Sequence, residues 1–274
     1  MILTPIRRYG AMILMLPTLV FSSEVLAKTH TTTASQKSHL TKASNKQVSS
    51  KQEYSRNSAK SSSLPDLRKY PSGTPRKKAF LRTVMPYITS QNAAIAAERN
   101  WLISKQYQGQ WSPAERARLK DIAKRYKVKW SGNTRKIPWN TLLERVDIIP
   151  TSMVATMAAA ESGWGTSKLA RNNNNLFGMK CMKGRCTNAP GKVKGYSQFS
   201  SVKESVSAYV TNLNTHPAYS SFRKSRAQLR KADQEVTATA MIHKLKGYST
   251  KGKSYNNYLF AMYQDNQRLI AAHM

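Results

Sequence analysis

From about Pro75 onward nearly every apolar run falls at helical rather than alternating spacing, and a chain so patterned must bury helix stripes against one another. "SPAERARLKDIAKRY" shows the pattern most fully. Ser112 stands at the cap, Pro113 in the first turn, Glu115 three residues after the cap, and Leu119, Ile122, Ala123 and Tyr126 along one face. "AFLRTVMPYI" and "NAAIAAERNWLI" predict helices interrupted at Pro86, whose ring cannot continue an interior turn. Further helices are expected near "TLLERV", "TSMVATMAAAES", "SVKESVSAYVTNL", "QEVTATAMIHKL" and "SYNNYLFAMYQDNQRLI", with Gly163 and Gly247 as stops. One stretch reads differently: "KCMKGRCTNAPGKVKGYSQF" is punctuated by Gly, Pro and Asn as a hairpin is. The expected fold is mainly α with a small β-hairpin insert.

Before Pro75 the chain changes character twice. Residues 1–27 combine a basic start at Arg7 and Arg8, the apolar stretch "AMILMLPTLVF", and small residues Val25 and Ala27 at positions minus three and minus one of a cleavage site. This reads as a secretory signal peptide; its retention as an N-terminal membrane anchor is the alternative. Residues 28–65 are rich in Ser, Thr, Lys and Gln and nearly bare of large apolar side chains, so they cannot build a core and are expected to form a disordered linker. No internal repeat is visible.

Charge narrows the partners. The chain has 45 Lys and Arg against 13 Asp and Glu, a formal charge of +32 and a pI near 10.4. Such a balance suits a polyanion: nucleic acid, an acidic membrane surface or a cell-wall polymer. Export argues against nucleic acid, and no later stretch is apolar enough to span a bilayer, so the mature protein is expected to be soluble in the periplasm and associated with the wall. Cys181 and Cys186 lie in the hairpin insert. In an oxidising compartment they most simply close a short disulfide loop. No His or second Cys pair stands nearby to complete a metal site, and no cofactor is expected.

The few carboxylates can be weighed one by one. Glu98, Glu115, Asp121 and Glu144 sit on cationic helices and read as surface partners. Asp147 is a helix-end or buried-partner candidate, Glu204 follows Ser201 at capping-box spacing, and Asp233 and Glu235 open another expected helix. Glu161 is different. It ends the apolar, small-residue segment "VATMAAA", where desolvation and the partial negative charge of the helix C-terminus both raise a carboxyl pKa. A proton held near neutral pH is what a leaving-group oxygen needs, so Glu161 is a candidate general acid; the structural alternative is a buried Glu paired to an Arg such as Arg171.

"AAAESGWGTSKLARNNNNLFGMK" resembles the signature segment of the glucosaminidase family of peptidoglycan hydrolases: an Ala-rich helix, Glu-Ser-Gly-Trp-Gly, a Ser-x-x-Ala turn, then Asn-Asn-Leu-Phe-Gly. "FSSVKESVSAYV" resembles the helix that follows the family's hairpin, and "KGYSTKGKSYNNYL" its Gly-Tyr segment. The resemblance implies a lysozyme-like fold with a small β-hairpin lobe over residues 140–274, preceded by a helical extension at 66–139. It implies Glu161 as general acid, with Tyr248 in the groove positioning the acetamide or a water, or else serving as a packed ring. Trp164 is either a stacking platform for a sugar face or core. Asn174, Asn175 and Phe177 are expected to shape the groove floor.

Relatives often carry a second Glu in the β-lobe, yet from Ser162 to Lys203 this chain has no Asp or Glu at all. That puts a two-carboxylate mechanism in doubt and leaves the substrate's own 2-acetamido oxygen as the nucleophile. The expectation is therefore an exported peptidoglycan hydrolase, an endo-acting β-N-acetylglucosaminidase on glycan strands. A lytic transglycosylase or muramidase, and a non-catalytic wall-binding protein, remain as rivals.

Overall fold

The computed structural model describes residues 63–181, 186, 189–246, 248 and 252–274. They belong to one compact unit, Gln52–Met274. The expected signal peptide, nearly all of the linker, and the stop at Gly247 lie outside the described residues. The helices in chain order are α1 (Thr74–Ser104), α2 (Pro113–Arg125), α3 (Trp139–Arg145), α4 (Thr151–Ser162), α5 (Lys168–Asn173), α6 (Val202–Thr215), α7 (Ser220–Lys231), α8 (Ala238–Ile242) and α9 (Lys253–Ala271).

α4 is the centre. Met153 to Ala159 are all buried, so the helix is enclosed on every side. Three alanines in a row let neighbouring backbones approach closely, and α1, α8 and α9 pack around them. α1 also lies along α6, while α3 packs on α7. Each fully buried Leu, Ile or Phe in this shared core contributes about 1.5–3 kcal/mol; Leu81, Ile88, Leu119, Val206 and Phe222 are among them.

Several expectations hold. Ser112 and Glu115 form the reciprocal capping box. Gly163 ends α4 with φ 58°, the left-handed region where a Cβ is disfavoured. Glu98 and Asp121 pair with Arg125, and Glu115 pairs with Lys105. Glu204 accepts from the Ser200 amide and hydroxyl while Ser201 caps the helix.

Others are corrected. α1 runs unbroken through Pro86 for 31 residues. Val84, Met85 and Ile88, on both sides of the proline, are buried, and that packing outweighs the local penalty of about 3 kcal/mol. Pro86 itself faces solvent, as does Arg82, whose carbonyl loses its partner and can be met by water. Asp233 and Glu235 do not open α8: Asp233 sits in a turn at φ 52°, and Thr237 caps the helix by accepting from the Ala240 amide. The hairpin lobe is reduced, among the described residues, to one antiparallel bridge between Lys180 and Tyr196. Backbone bonds from Ser197 to Met179 (2.9 Å) and from Cys181 to Gly195 (3.3 Å) flank it.

The segment leading into α4, "ERVDIIP", is held by a buried ionic cluster. Asp147 is 1% exposed and receives Arg230 through two bonds, Nη2 to Oδ1 at 3.0 Å and Nε to Oδ2 at 3.2 Å. Arg226, wholly buried, lies 3.6 Å from the same carboxylate and donates to the carbonyls of Glu144, Asp147 and Ile148. Arg99 from α1 stands 3.7 Å from Asp147 and donates to the Val146 carbonyl. Burial pushes the Arg226 guanidinium down to about 10 despite the opposing pull of Asp147. Removing the anion strands these cations, so Asp147→Ala is expected to cost about 3–5 kcal/mol. The loss is measured as a lower urea midpoint at unchanged slope.

Candidate active site

The turn after α4 explains "GWG". Gly163, Trp164 and Gly165 all have positive φ, at 58°, 57° and 78°. Gly165 is packed so tightly that a Cβ there would stand 2.6 Å from Leu67 Cδ1 and 3.1 Å from Phe80 Cδ2. Ser162 Oγ donates to the Ala158 carbonyl (2.6 Å) and accepts from the Gly165 amide (2.8 Å), closing the turn. The chain reverses directly after Glu161, which is thereby fixed at the mouth of the buried helix.

The asparagine run that follows is a hydrogen-bonding plate. Asn173 binds the Val193 backbone through both its amide nitrogen and its oxygen. Asn174, in the left-handed region at φ 50°, accepts from the Leu64 amide and donates to the Phe199 carbonyl. Asn175 spans the Met179 amide and carbonyl and reaches the Ser197 carbonyl. Asn174 and Asn175 thus brace the bridged segment, and neither lines the cavity.

That cavity, of about 840 Å³, holds Glu161, Phe177 and Tyr248 together. Gly178 lies beside them with φ 62°, and a Cβ there would come within 3.3 Å of Glu161 Oε2. Trp164 lies elsewhere, edge-on to Phe80 at 5.6 Å with the Lys77 ammonium 5.1 Å from its ring centre. Cys181 and Cys186 form a disulfide with Cα atoms 5.3 Å apart.

Tyr255, at the start of α9, donates its hydroxyl hydrogen to Glu161 Oε1. Among the described residues no ion pair involves Glu161, and Arg171 is turned to the Thr166 carbonyl instead. Burial raises the Glu161 pKa, and the Tyr255 bond opposes this. Rings crowd the same wall. Phe177 stacks on Tyr209 at 3.9 Å, Tyr248 stacks on Tyr255 at 5.7 Å, and Tyr219 lies 6.2 Å from Tyr248. Burial, followed by the nearby Glu161 charge, raises the Tyr219, Tyr248 and Tyr255 hydroxyls, so all three stay protonated donors. Glu161 is the one carboxylate among the residues lining the cavity.

Sequence reasoning did not single out Tyr255, Tyr209, Tyr219, His216 or Lys127, all of which line the cavity. Tyr255 had a faint signal: it lies in the "KGYSTKGKSYNNYL" segment, seven residues after Tyr248.

The site thus joins a half-buried carboxyl, the tyrosine that donates to it and an aromatic-walled cavity. Residues 138–268 match the family described as mannosyl-glycoprotein endo-beta-N-acetylglucosaminidase, the glucosaminidase domain. The chain belongs to the glucosaminidase family. It is also 99% identical over 274 residues to the protein named Protein bax from Escherichia coli (strain K12), covering 100% of both chains. No solved structure matches it.

The Tyr255 bond favours the charged carboxylate, so Tyr255→Phe should leave Glu161 protonated to higher pH. The alkaline limb of a pH–rate profile is expected to move upward in that variant; an unmoved or lowered limb would contradict the assignment.

Proposed function

We propose that this chain is an exported peptidoglycan hydrolase, an endo-acting β-N-acetylglucosaminidase. The observation that carries the reading is Glu161, half-buried at the end of an apolar helix with its pKa raised, as the sole carboxylate among the described residues lining the cavity. In its acid form it protonates the glycosidic oxygen as the bond to the anomeric carbon breaks.

Among the described residues no second carboxylate lines the cavity to act as nucleophile, which supports substrate assistance. The 2-acetamido carbonyl oxygen attacks the anomeric carbon and forms a cyclic oxazolinium. Water then opens it, giving its proton to the Glu161 carboxylate and regenerating the acid. The protonated tyrosine hydroxyls suit this scheme, since Tyr248 and Tyr219 can donate to acetamide or water. Their ring faces, with Phe177, offer apolar platforms to sugar C–H groups. The signal peptide and the basic linker bring the domain to the periplasm and hold it near an anionic wall.

The single-carboxylate cavity also favours a second reading, a lytic transglycosylase or muramidase, in which the N-acetylmuramic acid end closes on itself. A third, non-catalytic reading keeps the groove only for binding.

Glu161→Gln is expected to fold normally and lose nearly all cleavage, because the amide has no acidic proton to give. Digests of purified wall by the wild type, reduced with borohydride and weighed by mass spectrometry, should carry glucosaminitol ends. Anhydromuramyl ends would shift the assignment to the transglycosylase, and no new ends would leave the binding reading. Stability adds a check. A carboxyl whose pKa rises on folding loses stability as pH climbs from its unfolded value, near 4.5, through the folded one. Wild type should therefore melt below Glu161→Gln at neutral pH, with the gap closing in acid.

A further inference from the structure

Lys127 is the one cavity residue that precedes the family match, which begins at residue 138. It belongs to the turn that ends α2. There Val128 N–H reaches back to the Ala123 carbonyl (2.8 Å) and Lys127 N–H to that of Lys124 (3.1 Å), a closure that puts Lys127 in the left-handed region at φ 54°. Glycine is the favoured residue at such a position, and a lysine there is strained. The turn is nonetheless fixed to the catalytic region. Arg145 of α3 donates one nitrogen to the carbonyls of both Tyr126 (3.0 Å) and Lys127 (2.7 Å). Lys127 thus borders the cavity from a fixed turn, and Lys180 lines it from the bridged segment.

We propose that Lys127, with Lys180, is a specificity-determining pair that receives a carboxylate carried by the glycan strand. Among the described residues Glu161 is the only acid lining the cavity, so the pair leaves that lining cationic overall. A wholly neutral glycan offers these lysines only hydroxyl and amide oxygens, whereas a carboxylated strand adds the attraction of opposite charges. Two chemical sources exist on a wall glycan: the bare lactyl ether of a strand stripped of peptide, and the carboxylates of an attached peptide. The inference rests on the glycan-cleaving reading, and it assigns the helical extension a part in substrate choice.

The test uses the full chain carrying Glu161→Gln, so that ligands stay intact, and measures Kd for three probes: stripped glycan with free lactyl groups, peptide-bearing glycan, and uncharged chito-oligosaccharide. Lys127→Gly removes the ammonium and installs the residue the turn prefers, so its melting temperature should hold or rise. It is expected to weaken at least one carboxylated probe about three- to ten-fold relative to chito-oligosaccharide, with the loss fading at roughly 0.5 M salt. Lys127→Arg should retain the preference. Loss confined to the stripped strand assigns the lactyl group, and loss confined to the peptide-bearing strand assigns the peptide. An unchanged ratio, or equal loss on all three probes, overturns the proposal. Cleavage by the otherwise wild-type chain is scored separately. Carboxylate preference without cleavage would sink the hydrolase reading alone; cleavage with an unchanged ratio would sink only the lysine pair.

Discussion

The buried carboxylate of Asp147 organises this protein. It sits just before α4 and draws Arg99 from α1 and both Arg226 and Arg230 from α7 onto one short segment. The guanidinium groups of Arg99 and Arg226 are used twice, since they also hold the carbonyls of residues 144, 146, 147 and 148. Asn214 of α6 adds a bond to the Asp147 carbonyl, and Asn92 of α1 spans Ile149 and Thr151. The entry to the central helix is therefore determined by polar geometry, whereas its body is determined by close apolar packing. Buried charge of this kind is weak evidence for net stability. Its evident effect is to fix one register for α4, and with it the position of Glu161 about 15 Å further along the helix from Thr151, a distance that follows from about 1.5 Å per residue.

From that entry to the turn at Gly163 the chemistry is a consequence of packing. Small side chains on α4 let α1, α8 and α9 close in, and this enclosure removes water from one side of Glu161. Desolvation then raises its pKa without any charged neighbour. Gly178 permits the next loop to pass within van der Waals reach of the carboxyl. Tyr255 donates to it and helps fix its orientation.

How much of this was legible in the sequence depends on how local each cause is. The capping box at Ser112 and the left-handed stop at Gly163 rest on contacts within a few residues, and both could be read. α7 could not, because its buried face is built from Phe222, Arg223 and Arg226, so the apolar stripe that betrays a helix is missing. Those arginines are buried only because distant carbonyls and Asp147 receive them. Pro86 misled for the same reason: its cost is local, but the burial of Val84, Met85 and Ile88 that overrides it is tertiary. Tyr255 meets Glu161 across 94 positions of sequence, and Trp164 is drawn to Phe80 by a helix outside the family segment. The hairpin's composition was legible, while its pairing is limited among the described residues to one bridge.

One tension remains inside the cavity itself. Breaking a glycosidic bond builds positive charge at the anomeric carbon, and a cavity with two lysines and a single acid is poorly suited to that charge. Under the proposed reading the substrate resolves it: a carboxylate on a neighbouring sugar would neutralise the lysines as it binds, and an acetamido oxygen bonded to the anomeric carbon would disperse the charge that a second carboxylate would otherwise have to meet. On that reading a cavity with few anions of its own suits a strand that brings them, in keeping with the strongly basic character of the chain.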